Sequence, residues 1–187
     1  MKIEQQIVIP AARTIKDFES LLATSIEYIV VLDVHIGQLI HLSKMGRQHE
    51  KKLLVHADLV QGLKPDEAGA QFLCQWIQPT GLISTHASVM VTAKKHGIIS
   101  IQRIFLLDSH ALATSVRVIK HCDPDYVEIL PGVVPKLVRE VASQTKRKVI
   151  AGGFIETMDE VTEVLAAGAS AVSTSSLEVR QFYFPTS

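Results

Sequence analysis

The sequence predicts an α/β fold, a (β/α)8 barrel that forms a compact single domain over residues 1–187. Eight short apolar segments alternate with helix-like segments at spacings of roughly 23 residues, as parallel strands with helical crossovers require. Segment 28–32 is wholly apolar, as expected of a strand covered on both faces. No segment carries the polar residues that protect a sheet edge, which favours closure. An open, doubly wound sheet is the alternative, because periodicity does not report closure.

The composition indicates a cytoplasmic protein with a large buried core. Apolar residues make up 47% of the chain, and 19 acidic side chains balance 19 basic ones. The net charge therefore predicts no polyanion partner, so nucleic-acid binding would need a local basic patch. Cys74 and Cys122 lie in apolar helix-like segments and are expected to be reduced core thiols. The sequence has neither a signal peptide's apolar region nor the roughly 18 apolar residues that a membrane span needs.

The first half of the chain is expected to form four βα units. Thr14 is expected to cap the first helix with Asp17 at its third position, and Asp66 to open the third helix. The inward face of that third helix is expected to hold Ala70, Leu73, Cys74 and Ile77, with Trp76 beside them. The predicted strands comprise residues 7–9, 28–32, 52–56 and 81–84, and the predicted helices residues 14–22, 38–49, 66–77 and 86–97.

The second half is expected to add four more units. Ser109 is expected to cap the fifth helix, and Pro131-Gly132 to turn the chain into a sixth helix that carries Val134. Strands are predicted within 101–107, at 126–130, at 149–151 and from residue 171. The helices between and after them are predicted at 109–121, 134–141 and 157–168, with a last short helix after residue 176.

The last two predicted strands end in small residues. A glycine pair follows one strand, and a run of hydroxyl side chains follows the next. In (β/α)8 barrels such a pair of turns forms a phosphate site, in which backbone N–H groups and a helix N-terminus face the anion. Either turn alone is also typical of a tight turn or a helix cap. Together they predict a phosphate site made of Gly152, Gly153, Ser173, Thr174 and Ser175.

Polar residues also end most of the other strands, and a barrel would gather them around one pocket. The predicted ligand pocket comprises Asp33, His56, Asp58, Thr85, Asp108 and Glu128, with Ser84 and His86 beside them. Such carboxylates and imidazoles can bind a metal, transfer protons or hold ligand hydroxyls. Asp33 and Asp58 also fit loop caps, and His86 fits a helix cap. Because no tight metal-binding spacing is present, we assign neither a metal nor a catalytic residue.

Six segments of the chain resemble one known family. They are residues 55–63 (VHADLVQGL), 81–85 (GLIST), 101–109 (IQRIFLLDS), 124–132 (PDYVEILPG), 150–153 (IAGG) and 171–175 (AVSTS). Together they resemble the bacterial glycerol uptake operon antiterminator regulatory proteins, over nearly the whole chain. Two departures are Phe154, where the family pattern suggests Leu, and the tail after Leu177, which matches least.

The resemblance implies a TIM-barrel-like regulator that senses glycerol 3-phosphate and promotes read-through of a terminator in the leader mRNA of glycerol-catabolic genes. It implies no cofactor beyond this effector ligand, and it leaves a homo-oligomer open. The phosphate would lie at the predicted phosphate site, and Asp33, His56, Asp58 or Glu128 would face the hydroxyls. RNA would then need a basic surface. The candidates are Lys44, Arg47, Lys51 and Lys52, then Lys94 and Lys95, and then Lys146, Arg147 and Lys148.

Other functions fit the same residues. Each basic cluster is also typical of a solvated surface, and the sequence carries no known RNA-binding signature or aromatic platform. A barrel enzyme acting on a small phosphorylated metabolite, such as a phosphodiesterase or an isomerase, would suit the predicted pocket. No lysine is predicted at a strand end, which argues against a Schiff-base aldolase. A third alternative is a barrel that binds a ligand only to direct a protein partner.

Overall fold

The structure, a computed structural model that describes residues 3–184, is a closed barrel of eight parallel strands. Each strand pairs with the next along the chain, and β8 closes the barrel by pairing with β1. The strands are β1 Val8–Ala12, β2 Tyr28–Val31, β3 Lys52–His56, β4 Gly81–Ser84, β5 Ile99–Phe105, β6 Tyr126–Leu130, β7 Lys148–Gly152 and β8 Ala171–Thr174. The predicted barrel is thus confirmed, and the open sheet is excluded.

A helix follows each strand of the barrel and packs outside it. The helices are α1 Ile15–Leu22, α2 Ile36–Gln48, α3 Glu67–Phe72, α4 Ala87–Lys95, α5 Ser109–Cys122, α6 Pro135–Thr145, α7 Met158–Ala166 and α8 Leu177–Tyr183. A π-helical turn, Leu73–Ile77, continues α3. Capping boxes at Thr14 and Thr157 begin α1 and α7, where the threonine side chain accepts from the third helical N–H.

The apolar core has two layers because successive strand residues point to opposite sides. Outward-facing residues such as Val31, Val55 and Val149 pack against the helices. Inward-facing residues such as Leu54 and Ile101 fill the barrel itself. The inward positions nearest the carboxyl-terminal ends of the strands are polar instead, and they form the floor of the site described below.

The amino-terminal end of the barrel is closed by the start of the chain. The short 3-10 helix Ile3–Gln5 places a fully buried Ile3 among the inward residues, and its N–H donates to the Tyr126 hydroxyl at 3.2 Å. The Gln6 side chain donates to the Tyr28 carbonyl at 2.9 Å and accepts from the Tyr28 N–H at 2.8 Å. The open end of the barrel is therefore the carboxyl-terminal one.

Several local predictions were wrong. Asp108, not Ser109, caps α5, because its carboxylate accepts from the Ala111 N–H at 2.7 Å. Strand β5 begins two residues earlier than predicted, at Ile99, and ends at Phe105. The side chain of Trp76 is not beside the inward residues of its helix but is 72% exposed. Val134 precedes α6 as its N-cap residue and is exposed. Cys74 and Cys122 are free and buried, as predicted.

Candidate functional site

A cavity of about 690 Å³ opens at the carboxyl-terminal ends of the strands. Residues that follow β7 and β8 form one wall, and inward side chains of β5 and β6 form the floor. Its polar lining includes Arg103, Glu128, Gly153, Ser173, Thr174 and Ser175. The site therefore occupies the end of the barrel where (β/α)8 proteins place their ligands.

Glu128 is the centre of a buried polar network on the floor of this cavity. Its side chain is 1% exposed and accepts from Arg103 Nε at 2.7 Å and from Ser173 Oγ at 2.6 Å. The barrel register explains the first contact, because Arg103 and Glu128 are directly paired on β5 and β6. These two hydrogen bonds offset the desolvation cost of burying the Glu128 carboxylate, and the ion pair with Glu128 fixes the position of the Arg103 guanidinium.

Gly152 makes room for this network. A side chain there would place its Cβ 2.6 Å from Ser173 Oγ, which is closer than real contacts allow, and 3.0 Å from Glu128 Oε1, which is unusually tight. The residue paired with Gly152 across the sheet is Ser173 itself. The first glycine of the pair is therefore required by the polar floor, and not only by the turn that follows β7.

Gly153 and Phe154 shape the loop after β7. Both adopt positive φ angles, of 78° and 59°, where side chains are normally disfavoured. The Phe154 side chain is largely exposed at the mouth of the cavity. The loop thereby turns sharply over the cavity with no side chain at its first position.

The loops after β7 and β8 are hydrogen-bonded to each other. Thr174 Oγ1 donates to the Ile155 carbonyl at 2.7 Å and accepts from the Ser176 N–H at 3.0 Å. Ser176 Oγ donates to the Glu156 carbonyl at 2.8 Å and caps α8 by accepting from the Val179 N–H. The structure thus brings the two halves of the predicted phosphate site together on one wall.

His56 lies inside the barrel at the end of β3. It is 3% exposed, and neither ring nitrogen has a hydrogen-bond partner among residues 3–184. Burial, together with the nearby Arg103, lowers the pKa of His56 to about 4, although Asp58 and Glu128 partly oppose this shift. A neutral imidazole with two unpartnered nitrogens can donate one hydrogen bond and accept another.

Asp58 joins the loop after β3 to the end of β4. Its carboxylate accepts from Ser84 Oγ, from the Thr85 N–H at 2.9 Å and from Thr85 Oγ1 at 2.6 Å. Burial alone would raise the pKa of Asp58, but these hydrogen bonds outweigh it and lower the pKa. His86 Nδ1 lies 3.6 Å from the same carboxylate. Asp58 therefore lies close to His56 along the chain, and the Ser84 and Thr85 hydroxyls already donate to it, which holds the loop after β3 in place.

Of the six predicted pocket residues, Glu128 lines the main cavity. His56, Asp58 and Thr85 lie at the neighbouring ends of β3 and β4 and do not line it, and Asp33 and Asp108 lie farther away. Asp33 is exposed with a φ of 50° and borders a separate cavity of about 140 Å³ between α1 and β2. Asp108 is exposed and acts as the cap of α5. Conversely, Arg103 and Arg13 line the main cavity without having been predicted. The alternation of inward residues along β5, with Ile101 two positions earlier, is the signal that identifies Arg103.

The predicted RNA-binding residues lie towards the opposite, amino-terminal end of the barrel, and several have protein partners. Lys51 Nζ donates to the Thr24 and Ile26 carbonyls, and Lys52 pairs with Glu27. Arg147 pairs with Asp123, and Arg47 donates to Ser43 and to the Ile77 carbonyl. Lys44, Lys95 and Lys146 have exposed side chains on the surface of residues 3–184.

Residues 3–184 contain neither a candidate membrane span nor a candidate metal site. No helix in that range is long and apolar enough to cross a membrane. In the same range, no group of three or more His, Cys, Asp or Glu side chains is arranged to hold a metal ion.

Residues 8–179 match the family described as the glycerol-3-phosphate responsive antiterminator. The chain belongs to this family. A solved structure of the glycerol uptake operon antiterminator regulatory protein from Listeria monocytogenes is 42% identical, with a TM-score of 0.92, covering 95% of this chain and 96% of that one. An antiterminator-related protein from Thermotoga maritima is 32% identical, with a TM-score of 0.80, covering 91% and 95%.

A barrel enzyme shares the fold of this antiterminator-family chain. Deoxyribose phosphate aldolase from Aeropyrum pernix superposes with a TM-score of 0.73 at 18% identity, over 95% of this chain and 89% of the aldolase. At that identity the likeness shows the TIM-barrel architecture alone.

Proposed function

We propose that this protein binds glycerol 3-phosphate in the cavity at the carboxyl-terminal end of the barrel and acts as an antiterminator on the leader mRNA of glycerol-catabolic operons. One observation supports the ligand site above all. The loops after β7 and β8 are hydrogen-bonded into a single wall, and the Arg103–Glu128–Ser173 network lies beneath them. The family description supports the identity of the ligand.

The phosphate group lies against the wall made by the two loops. Gly152 and Gly153 place no side chain between the phosphate and the backbone, and the loop after β8 supplies backbone N–H groups and the Ser175 hydroxyl, the donor types that phosphate sites use. The Ser173 and Thr174 hydroxyls already donate to Glu128 and to the Ile155 carbonyl, so these residues shape the site rather than bind the anion through their side chains. Cationic charge comes from the guanidinium groups of Arg13 and Arg103, which line the same cavity. A planar guanidinium suits a phosphate because it presents several donors in a fixed geometry.

The glycerol hydroxyls face the floor of the cavity. Glu128 is an acceptor-only group when ionised, and the neutral His56 imidazole both donates and accepts. Asp58 and Thr85 support this arrangement from the neighbouring β4 end, because their hydrogen bonds fix the loop after His56. Asp33 and Asp108 have no part in the site, since both lie away from the cavity.

Ligand binding changes the conformational equilibrium of the loops at the mouth of the cavity. A dianion that bonds to both loops favours the conformation in which they are closed against each other. If that conformation also binds RNA better, the two ligands strengthen each other's binding by the same factor. No turnover is needed for this role, and the protein is a regulator rather than an enzyme.

A barrel enzyme acting on a small phosphorylated metabolite is the second candidate. The buried Glu128 carboxylate and the His56 imidazole at the strand ends are the observation that favours it, because such groups serve as acids and bases. The strand lysines, Lys52 and Lys148, begin β3 and β7 at the other end of the barrel, so neither can form a Schiff base in the cavity. A phosphodiesterase or isomerase would consume its substrate in an assay.

Calorimetric titration with glycerol 3-phosphate, glycerol and inorganic phosphate tests the ligand site. Gly153→Val is expected to weaken glycerol 3-phosphate binding at least tenfold, since a branched side chain at a φ of 78° both strains and fills the loop. Gly168→Val is the matched control, because Gly168 also has a positive φ, of 103°, but no atom lies near its absent Cβ.

Thermal melts should show both variants folded. Equal affinity for glycerol 3-phosphate in Gly153→Val and wild type would contradict the phosphate site. Conversion of glycerol 3-phosphate or of a glycerophosphodiester, followed by phosphorus NMR, would favour the enzyme.

A further inference from the structure

The turns at the amino-terminal end of the barrel form one continuous rim. The Thr80 N–H donates to the Leu53 carbonyl at 2.9 Å, and the Ile99 N–H donates to the Thr80 carbonyl at 3.1 Å. The Asp125 N–H then donates to the Ser100 carbonyl at 3.0 Å. These bonds place the turn before β4 next to the turns that enter β5 and β6. Side chains from neighbouring turns therefore share one surface.

A basic groove of about 500 Å³ lies in this rim, below β5, β6 and β7. Its charged and aromatic lining comprises Lys94, Asp125, Tyr126, Lys146, Arg147 and Lys148. We call this the basic groove. Four cationic side chains line the groove, against one acidic side chain, Asp125. The Asp125 carboxylate accepts from the N–H and from Oγ of Ser100, both at 2.8 Å, and so is engaged within the protein.

Asp123 positions two of the cations. Its carboxylate accepts from Lys94 Nζ at 2.6 Å and pairs with Arg147 on the other side. Lys148 Nζ lies 5.7 Å from the centre of the Tyr126 ring, within cation–π range. The exposed Lys146 stands at the C-cap of α6 with a φ of 56°. The contacts with Asp123 and with Tyr126 therefore hold Lys94, Arg147 and Lys148 in fixed positions.

Trp76 lies on the same rim, in the turn before β4. It is the only tryptophan of the chain, it is 72% exposed, and it lies in the π-helical turn that ends α3. Beside it, Arg47 Nη1 donates to the Ile77 carbonyl at 3.1 Å. Lysines at helix ends are expected from the helix dipole, but the dipole does not account for an exposed indole. A solvent-facing indole next to a guanidinium is a stacking surface for an unpaired base.

We propose that the amino-terminal rim is the RNA-binding face, on which Trp76 stacks against an unpaired base and the basic groove holds the adjoining phosphates. This inference rests on the proposed function, since it names the surface that the antiterminator uses for its leader mRNA. The aromatic side chain and the cations fit single-stranded RNA, which is recognised by stacking and by phosphate contacts. A protein partner with an uncharged or acidic surface would offer no base for the indole to stack on.

The same strands connect this face to the ligand cavity. Strand β7 begins at Lys148 in the basic groove and ends at Gly152, directly before Gly153 in the lining of the ligand cavity. Four steps of about 3.3 Å separate them, or about 13 Å. Strand β6 likewise begins at Tyr126 and carries Glu128. The two sites are therefore the two ends of the same strands.

Tryptophan fluorescence tests the proposal directly, because the chain has a single indole. Wild-type protein is titrated with the transcribed leader of a glycerol-catabolic operon in the presence of glycerol 3-phosphate. We expect the emission to be quenched on binding, as stacking on a base requires. Affinity is measured in parallel from the anisotropy of end-labelled RNA, which does not depend on the indole.

Variants separate stacking from charge. Trp76→Ala is expected to lower the RNA affinity roughly 5- to 100-fold, the range for loss of one stacked base. Lys146→Gln should reduce the slope of log affinity against log salt by about 0.7, as for one single-strand phosphate contact. The matched controls are Phe182→Ala, an exposed aromatic in α8, and Lys136→Gln in the first turn of α6 at the opposite end. Neither control should change the affinity.

The outcomes are distinct. If wild-type protein binds no leader RNA, the proposed function fails together with this inference. If wild type binds RNA but Trp76→Ala and Lys146→Gln bind equally well, the RNA face lies elsewhere and the proposed function stands. If Trp76→Ala instead dissociates an oligomer in light scattering with unchanged RNA affinity, the rim is a contact between copies of the chain, and this inference is overturned.

Discussion

Replacing His56 with leucine should change how stability depends on pH. The imidazole is buried with a folded-state pKa of about 4, against its ordinary value of 6.5. Between these two pH values the unfolded chain binds a proton that the folded chain does not. Protonation therefore favours unfolding, so the free energy of unfolding is undiminished by this residue above pH 6.5 and falls as the pH falls towards 4.

The size of the effect follows from the same two values. Each pH unit across the interval from 6.5 to about 4 is worth about 1.4 kcal/mol, so wild-type protein should lose about 3 kcal/mol of unfolding free energy from this residue alone. Leucine cannot titrate and has similar volume. In addition, removing a buried ring with two unpartnered nitrogens relieves a desolvation cost, so the variant should be no less stable near pH 7.

Urea denaturation at half-unit steps from pH 7 to pH 4.5 measures this difference. The His56→Leu curve should be flatter than the wild-type curve, whereas His41→Leu, a control at an exposed histidine of α2, should follow wild type. Asp58 does not confuse the comparison, because its pKa is below 3.8 and its contribution is lost only at more acidic pH. Parallel curves for His56→Leu and wild type would refute the buried, neutral imidazole.

Two further substitutions test the structure. In Gly132→Ala the new Cβ would lie 2.3 Å from the Gly152 backbone N, so β7 must shift, at a cost of about 1–3 kcal/mol and with weaker glycerol 3-phosphate binding. Gly37→Ala in α2 is its control, since Gly37 has no positive φ and its new Cβ would meet only the His35 side chain, at 3.3 Å; equal melting temperatures for the two variants would contradict the packing. Asp108→Ala should cost about 1 kcal/mol in urea denaturation, through loss of the bond to the Ala111 N–H, and should leave ligand affinity unchanged. Reduced ligand affinity in Asp108→Ala would show that Asp108 contributes to the ligand site.

The fold was predictable because each signal was local and repeated. Apolar runs separated by capped helices recur along the whole chain, and the parallel order of the strands follows from the crossovers. The phosphate site was predictable in position for the same reason: in a closed barrel, β7 and β8 are neighbours, so Gly152 and Ser173 must meet. What the motif did not reveal is that Gly152 is needed to accommodate Glu128.

The errors came from local backbone geometry that side-chain patterns do not encode. Asp33 turns away from the cavity at a positive φ, and Asp108 is used as a helix cap. A π-helical turn changes the rotation per residue, so the α-helical spacing that predicted Trp76 beside the core did not hold. Arg103 could have been predicted, because it follows the inward-facing Ile101 by two positions and so faces the barrel interior. It was missed because its neighbours form an apolar run that indicates only a buried strand.

The central claim is that the two ends of the barrel are coupled. Calorimetric titration with glycerol 3-phosphate, with and without saturating leader RNA, measures this coupling in one experiment. The account predicts that RNA strengthens glycerol 3-phosphate binding and that glycerol 3-phosphate strengthens RNA binding by the same factor. Glycerol 3-phosphate binding that is indifferent to RNA, or accompanied by turnover, would contradict it.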